Sequence, residues 1–363
     1  MEESIRTTPG KTEDGKPFDF YVQEQVRRGE LRLERVPKEI LGTPRDLEIY
    51  RAKRKTNFIV DWVNSASDEA YCCEYWADLK IGRGPCGYRC TDCFLILTHR
   101  VKADPSRHIL FENTNDFVDA VKAWLLKRTK RTSLGLGIDC SDSLLYEGVT
   151  GYARALIPLF ASPETNPYGR HLVLLTKSAN VHYLKGLPTT NVVVSFSLNP
   201  QKIADIFEGR FPDGLRITPS VDERLKASQE CERMGFETRW RIDPLIPVEG
   251  WPSIYTGFFQ KASSSSPKRI TLGIYRQMGS GLKVFSQKWG LQPMNWEPTG
   301  KLVKDMGSHL QLPRAERVEL YSAIRGMVEG EWPPNMRPEL ALCKEISEVR
   351  SASGIPSRHC NCE

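Results

Sequence analysis

Short apolar runs rich in β-branched residues recur through the middle of the chain: LGLGI (134–138), HLVLLT (171–176), NVVVSFS (191–197), TRWRID (238–243) and RITLGIY (269–275). Between them apolar positions fall at helical spacing, in DFVDAVKAWLLKR (116–128), GVTGYARALIPLF (148–160), PQKIADIFE (200–208) and VDERLKASQECERMG (221–235). Strand and helix alternating at this interval predict parallel strands joined by crossover helices. Five or six such units predict an α/β protein built as a complete or partial (β/α) barrel, with an open doubly wound sheet as the alternative.

The flanks read differently. GELRLERVPKEI (29–40) and DLEIYRAKRK (46–55) look like short amphipathic helices, and ASSSSP (262–267) looks like a flexible connector before the last strand. Beyond residue 285 the pattern is helix and loop. The expected division is therefore an N-terminal extension (1–79), a barrel (80–285) and a C-terminal helix with a cysteine-containing tail (286–363). There is no repeat of fixed period, and GLGIDC lacks both the Lys-Ser/Thr of a phosphate loop and the spacing of a dinucleotide fingerprint.

Composition narrows the class. With 40% hydrophobic and 26% charged residues in 363, the chain reads as globular, and no apolar run reaches membrane-spanning length. The start, MEESIRTTPGKTEDGKPFDF, has acids and no apolar core, so a secretory signal is not expected and the cytoplasm is the default location. Fifty-one basic against 45 acidic residues give a net charge of +6, which permits a polyanionic partner without demanding one. RAKRK (51–55) and KRTKR (127–131) are either phosphate-holding runs or solvated helix faces.

Ten cysteines change the picture. In a chain with no export signal, clustered thiols point to metal or redox chemistry rather than disulfides. Cys86, Cys90 and Cys93 form C-x3-C-x2-C within GRGPCGYRCTDCFLILTHR. Thiolates are natural ligands of iron–sulfur clusters, and three of them leave one iron of a [4Fe–4S] cubane open. A zinc site would need a fourth ligand, for which His99 and His108 are the nearby histidines.

This triad leading into a (β/α) alternation resembles the radical S-adenosylmethionine enzymes, and within them spore photoproduct lyase and its relatives. The resemblance runs from about residue 50 to residue 290 and includes IDCSDS (138–143), LVLLTKSANVHYL (172–184), VVSFSLNPQKI (193–203), DERLKAS (222–228) and IDPLIPVEGW (242–251) in the same order. It implies a partial (β/α)6 barrel of radical SAM type, a [4Fe–4S] cluster on Cys86, Cys90 and Cys93, and S-adenosylmethionine chelated at the open iron. It further implies cofactor contacts from Lys177 and Ser197, orientation of a carboxylate or substrate by Arg224, and cavity-facing groups at Ser141, Asp142 and Ser143. Cys140, at the end of LGLGIDC, matches a cysteine that returns a hydrogen atom to the product radical.

Two departures stand out. Where the lyases carry tyrosines around the third cysteine, this chain has Asp92 and Phe94, so a tyrosine relay there is absent and Tyr88 or another tyrosine would have to substitute. Cys343, Cys360 and Cys362 form a tail cluster suited to an auxiliary metal or second iron–sulfur cluster, with Cys72, Cys73 or Cys231 as further ligands. The resemblance thus implies a [4Fe–4S]-dependent lyase acting on a thymine photoproduct in DNA, with an external flavodoxin- or ferredoxin-type electron donor and no membrane. The departures leave room for an epimerase or other tailoring enzyme acting on a free nucleotide. A non-catalytic cluster-bearing nucleic-acid module is disfavoured by the retained cofactor-side residues.

Overall fold

The computed structural model describes residues 24–61, 76–84, 86–91, 93, 107–277, 302–306, 309–357, 359 and 361. In chain order the strands are β1 (Arg32–Val36), β2 (Leu47–Ala52), β3 (Ile59–Asp61), β4 (Trp76–Leu79), β5 (Gly82–Arg83), β6 (His108–Phe111), β7 (Ser133–Leu136), β8 (His171–Thr176), β9 (Val192–Ser197), β10 (Glu237–Leu245), β11 (Arg269–Ile274), β12 (Arg276–Gln277), β13 (Val303–Met306), β14 (His309–Gln311) and β15 (Glu339–Leu342). The helices are α1 (Lys38–Leu41), α2 (Thr114–Leu126), α3 (Glu147–Thr150), α4 (Tyr152–Ala161), α5 (Gln201–Phe207), α6 (Val221–Arg233), α7 (Trp251–Ala262), α8 (Arg314–Glu331) and α9 (Ser347–Ala352).

The main sheet has eight strands in the order β15-β11-β10-β9-β8-β7-β4-β3. All neighbours pair in parallel except the antiparallel edge strand β3. This is the α/β partial barrel expected, with β15 as one more parallel strand than the middle of the chain supplied. The sheet draws strands from all three segments of the sequence division: β3 and β4 precede residue 80, and β15 follows residue 286.

Alternation along each strand sorts residues to two faces. Leu172, Leu174, Val192, Val194, Phe196, Trp240, Ile242, Ile270, Leu272 and Ile274 join one apolar cluster with residues of α4, α6, α7 and α8. The other face is polar, carrying Ser195, Ser197, Arg239, Arg241, Asp243 and Thr271. The apolar face thus goes outward to the helices, and the polar face lines the inside. The N-cap of α6 is a reciprocal capping box between Ser220 and Glu223, which fixes the start of that helix.

Several expectations are corrected. Residues 29–40 and 46–55 are chiefly β1 and β2, paired antiparallel, not amphipathic helices; Leu47 and Ile49 are buried and Arg35–Asp46 pairs across the strands. Their alternation has period two, and β6 provides a parallel neighbour that local spacing could not reveal. The 148–160 helix breaks at Gly151, whose φ of 63° is left-handed, and the Glu147 carboxylate accepts from the N–H groups of Ala153 and Arg154 to cap α4. The 262–267 connector is packed: Ser265 is buried and its carbonyl accepts from Trp332 Nε1 at 2.9 Å. The segment beyond residue 285 holds strands β13, β14 and β15 as well as helices. No described helix is long and apolar enough to cross a membrane.

Asn361 packs on the polar face of the sheet. Buried Asn361 donates to Ser195 Oγ (2.9 Å) and the Trp240 carbonyl (2.7 Å) and accepts from Thr271 Oγ1 (2.9 Å), stitching β9, β10 and β11 together. Replacing Asn361 by Ala leaves buried hydroxyls unpaired, at a cost of about 1–3 kcal/mol. The expected outcome is a lower urea midpoint with an unchanged m-value; a midpoint equal to native would contradict the stitching.

Candidate active site at the carboxyl ends of the strands

The carboxyl ends of β4, β7, β8, β9, β10, β11 and β15 face one way, and the chemistry-bearing residues collect there, as parallel α/β folds require. The cysteine loop follows β4 and β5. Arg89, at φ 50°, reverses the chain between Cys86 and Cys90, and its N–H donates to the Cys86 carbonyl at 3.0 Å. The loop is fastened to the end of α5: the Thr91 N–H and hydroxyl both donate to the Phe207 carbonyl, at 2.8 and 3.1 Å. A Cβ on Gly209 would lie 2.0 Å from the Tyr88 carbonyl oxygen, so only glycine lets the two backbones meet.

Cys86, Cys90 and Cys93 line one apolar cluster with Tyr88, Leu145 and Tyr146. Burial, the Asp142 charge and the other two thiols push the Cys86 thiol well up. Three thiols on one loop in an apolar setting, gaining as thiolates only if a cation joins them, fit a sulfur-ligated iron cluster. His108, weighed as a zinc ligand, stacks on Tyr146 with ring centroids 5.3 Å apart; His99, Asp92 and Phe94 lie outside the described residues.

Beside the loop sits Glu208, which the sequence reading missed. Its buried carboxylate takes a two-pronged contact from Arg224 (2.8 and 2.6 Å), a hydrogen bond from Thr218 (2.6 Å) and an ion pair with Lys177 (3.5 Å). Burial acts to raise the Glu208 carboxyl, but Arg224, Lys177 and Thr218 outweigh it and hold it below its ordinary value. Lys177 Nζ also donates to Ser197 Oγ at 2.7 Å, so those two residues do meet at the mouth. Arg224 lies beneath them: it is fully buried and its second contact is the Ser197 carbonyl at 2.9 Å. It acts through Glu208 and Ser197 rather than reaching the cavity itself.

The 141–143 segment divides its labour. The Asp142 carboxylate accepts from the N–H groups of Leu144, Leu145 and Lys177 and from the Thr176 hydroxyl, tying the ends of β7 and β8 together. Ser143 Oγ bridges the Leu136 carbonyl and the Leu175 N–H, again between strands. Ser141 Oγ alone is buried with no hydrogen-bond partner, and so is the one of the three left with a donor to offer.

Cys140 is not the last residue of a strand. β7 ends at Leu136, Gly137 turns at φ 70°, and the Cys140 N–H donates back to the Gly137 carbonyl at 3.0 Å. Asp78 of β4 holds this turn by accepting from the Ile138 N–H at 2.9 Å. The carboxylates of Asp78 and Asp139 and the Cys140 sulfur lie within 4.8 Å of one another, and Lys80 is ion-paired with Asp139. Burial and the Asp78 charge push the Cys140 thiol up to about 12, with Lys80 opposing, so it stays S–H. Asp78 and Lys80 carried no motif in the sequence; only the pairing of β4 with β7 reveals them.

Compared with known proteins, the chain is 24% identical over 225 residues to the spore photoproduct lyase of Clostridium acetobutylicum, covering 62% of this chain. The chain spans 57% of that relative's length. Its fold matches a solved spore photoproduct lyase complexed with dinucleoside spore photoproduct, at TM-score 0.59 and 18% identity over 82% of this chain and 81% of that one. A second lyase structure, a variant with bound AdoMet and dinucleoside spore photoproduct, matches at TM-score 0.60 and 18% identity over the same shares, 82% and 81%. The chain shares the fold of the spore photoproduct lyases. No protein-family model matches it.

Against that lyase-like fold the remaining expectations sort themselves. KRTKR (127–131) lies between α2 and the start of β7, at the opposite end of the strands from the site, so it does not serve this mouth. From RAKRK, Arg54 lies near the Cys140 sulfur. Cys231 is a buried member of the apolar cluster on α6, far from a ligand's role. Cys343, after β15, accepts a hydrogen bond from Arg241 at 3.2 Å; Cys72, Cys73, Cys360 and Cys362 lie outside the described residues.

The buried Glu208–Arg224 pair yields a pH-dependent prediction. Glu208→Gln removes one partner of a buried ion pair, at about 3–5 kcal/mol. Because the folded carboxyl titrates below its unfolded value, its stabilisation is present at neutral pH and lost as pH falls through the acid range below about 4.3. Denaturation midpoints of native and Glu208→Gln should therefore differ most at pH 7 and converge under acid conditions; a constant gap would contradict the charge pairing.

Proposed function

We propose that this chain is a radical S-adenosylmethionine enzyme that acts on a pyrimidine photoproduct in DNA or a dinucleotide, reversing the lesion with Cys140 as hydrogen-atom donor. The observation that carries the reading is the convergence of the cysteine loop, the Lys177–Ser197 pair and the buried Cys140 at one end of the parallel sheet. Cys86, Cys90 and Cys93 would hold a [4Fe–4S] cluster, and Lys177, Ser197 and Ser141 would contact S-adenosylmethionine. Bound there, these groups supply one-electron cleavage of the sulfonium and a carbon radical that abstracts hydrogen from the substrate.

The chain's own residues position and quench. Lys177, held at 2.7 Å from Ser197 Oγ and 3.5 Å from Glu208, offers a fixed positive charge to a carboxylate. Asp142 and Ser143 keep the ends of β7 and β8 rigid, so that the turn bearing Cys140 does not drift. A thiolate has no hydrogen atom to give. Burial and Asp78 keep Cys140 in the S–H form, which is the form a donor needs. A photoproduct is already unstacked, which lowers the cost of bringing it into a barrel mouth. The electron would come from a flavodoxin- or ferredoxin-type protein in the cytoplasm.

Asp92 and Phe94, where the lyases carry tyrosines, favour a second reading. An epimerase on a free nucleotide would use Cys140 to deliver hydrogen to the opposite face of a sugar carbon and would need no tyrosine relay.

One set of assays tests both. The anaerobically reconstituted protein should form 5′-deoxyadenosine with irradiated DNA, and Cys86→Ala, Cys90→Ala or Cys93→Ala should abolish it together with bound iron. Cys140→Ala should keep cofactor cleavage but misroute the product radical, because the thiol it removes opens little core volume. In deuterated water the native product should carry solvent deuterium at the quenched carbon. Normal product from Cys140→Ala, with no deuterium incorporated by native enzyme, would remove Cys140 from the mechanism.

A further inference from the structure

Buried polar atoms in a folded chain nearly always have a hydrogen-bond partner, so one that has none marks a place that a ligand can complete. Among the described residues, the Tyr146 hydroxyl is such an atom. The residue is 2% exposed, and its oxygen neither gives nor takes a hydrogen bond. It has no part in the chemistry described above. Tyr146 belongs to the apolar cluster that contains Cys90 and against which Cys86 and Cys93 pack, and its hydroxyl lies near the Cys86 sulfur.

The placement is built. The Tyr146 ring lies flat on the His108 imidazole of β6, with 3° between the two planes. Its carbonyl accepts from the N–H groups of Val149 and Thr150, both at 2.9 Å, and from the Thr150 hydroxyl at 3.1 Å, which fixes its backbone at the start of α3. Two glycines make room for the ring pair. A Cβ on Gly82 would strike the His108 imidazole, and a Cβ on Gly87 would strike the Tyr146 hydroxyl itself. Gly87 stands between Cys86 and Tyr88, and its backbone is not left-handed, so its missing side chain serves this approach rather than a turn.

The hydroxyl is also in the form a donor needs. Burial first, and then the Cys86 sulfur, push the Tyr146 phenol well above its ordinary value, with Arg89 opposing, so the oxygen keeps its proton. The loop already directs one donor at sulfur, from the Tyr88 N–H to Cys86. A second donor buried beside the same sulfur and left unpaired costs about 1–3 kcal/mol, which an anionic sulfur acceptor would recover.

We propose that the Tyr146 hydroxyl donates a hydrogen bond to a sulfur of the cluster held by Cys86, Cys90 and Cys93 and thereby raises its reduction potential. This rests on the cluster reading above and names the side chain that tunes it. The reduced cluster carries one more negative charge than the oxidised one, so a donor aimed at sulfur stabilises it more and eases electron entry.

The test reads the cluster itself, without substrate or turnover. The full chain is reconstituted anaerobically in three forms: native, Tyr146→Phe, and with 3-fluorotyrosine at position 146. Each is titrated with dithionite in the presence of redox mediators, and the reduced cluster is counted by electron paramagnetic resonance. Phenylalanine keeps the ring on His108 and removes only the hydroxyl, whereas fluorine makes that hydroxyl a stronger donor. At the native midpoint potential, Tyr146→Phe should show a reduced-to-oxidised ratio about tenfold lower, the scale of a hydrogen bond to a charged group. The fluorotyrosine protein should show a ratio above native. Electron–nuclear double resonance should find one exchangeable proton coupled to the native cluster that Tyr146→Phe lacks. Shifts of opposite sign cannot come from a loosened loop, and the fluorotyrosine protein carries the test should Tyr146→Phe fail to take up iron. Equal potentials in all three proteins at full iron content overturn the hydrogen bond and leave the cluster reading standing. Shifts of the same sign in both altered proteins assign the effect to packing and overturn it too. If the native protein takes up no [4Fe–4S] cluster, the cluster reading fails and the hydrogen bond with it.

Discussion

The buried carboxylate of Glu208 is the constraint on which the mouth of this barrel depends. Desolvating a carboxylate costs several kcal/mol, and the cost is met only because Arg224, Thr218 and Lys177 surround it. Each of those partners belongs to a different part of the fold. Arg224 brings α6, Lys177 brings the end of β8, and Ser197 joins through both of them. The residues on either side of Glu208 then receive the cysteine loop, through the Phe207 carbonyl and the bare Cα of Gly209. One ion pair therefore sets the distance between the thiols and the residues facing them.

Polarity across the sheet follows the same logic. The convex face is apolar and buried under helices, while the concave face carries arginines, serines and aspartates that must each find a partner. Near the amino ends of the strands these partners are internal: Glu237 for Arg239, Glu339 for Arg269, and Asn361 for Ser195 and Thr271. Near the carboxyl ends, among the described residues, Ser141 Oγ has no hydrogen-bond partner. Incomplete pairing inside a low-dielectric cleft is what a ligand can complete. Cys140 sits at this boundary, its proton retained by burial and by Asp78.

Much of this was legible in the sequence where signals are local. The strands at 171–176, 191–197 and 269–275 are read almost to the residue, because a parallel strand buried on both faces is a continuous apolar run. The three cysteines stood out because one loop carries them all. What escaped was decided by distant pairing. β1 and β2 looked helical because the parallel neighbour β6 that completes their sheet lies elsewhere in the chain, and β15 comes from a tail that showed only helix and loop. Glu208, Asp78 and Lys80 carry no motif, and each acquires meaning only beside a residue from another strand or helix. Arg224 was found but misplaced, since a sequence gives no depth.

The central claim is that the loop of Cys86, Cys90 and Cys93 holds a cluster with one iron open to S-adenosylmethionine. Electron paramagnetic resonance on the anaerobically reconstituted, dithionite-reduced protein tests it most directly. The account predicts a [4Fe–4S] signal whose g-values shift when S-adenosylmethionine is added, because the open iron gains nitrogen and oxygen ligands. A cluster signal indifferent to S-adenosylmethionine, or no cluster signal at all after reconstitution, would contradict it.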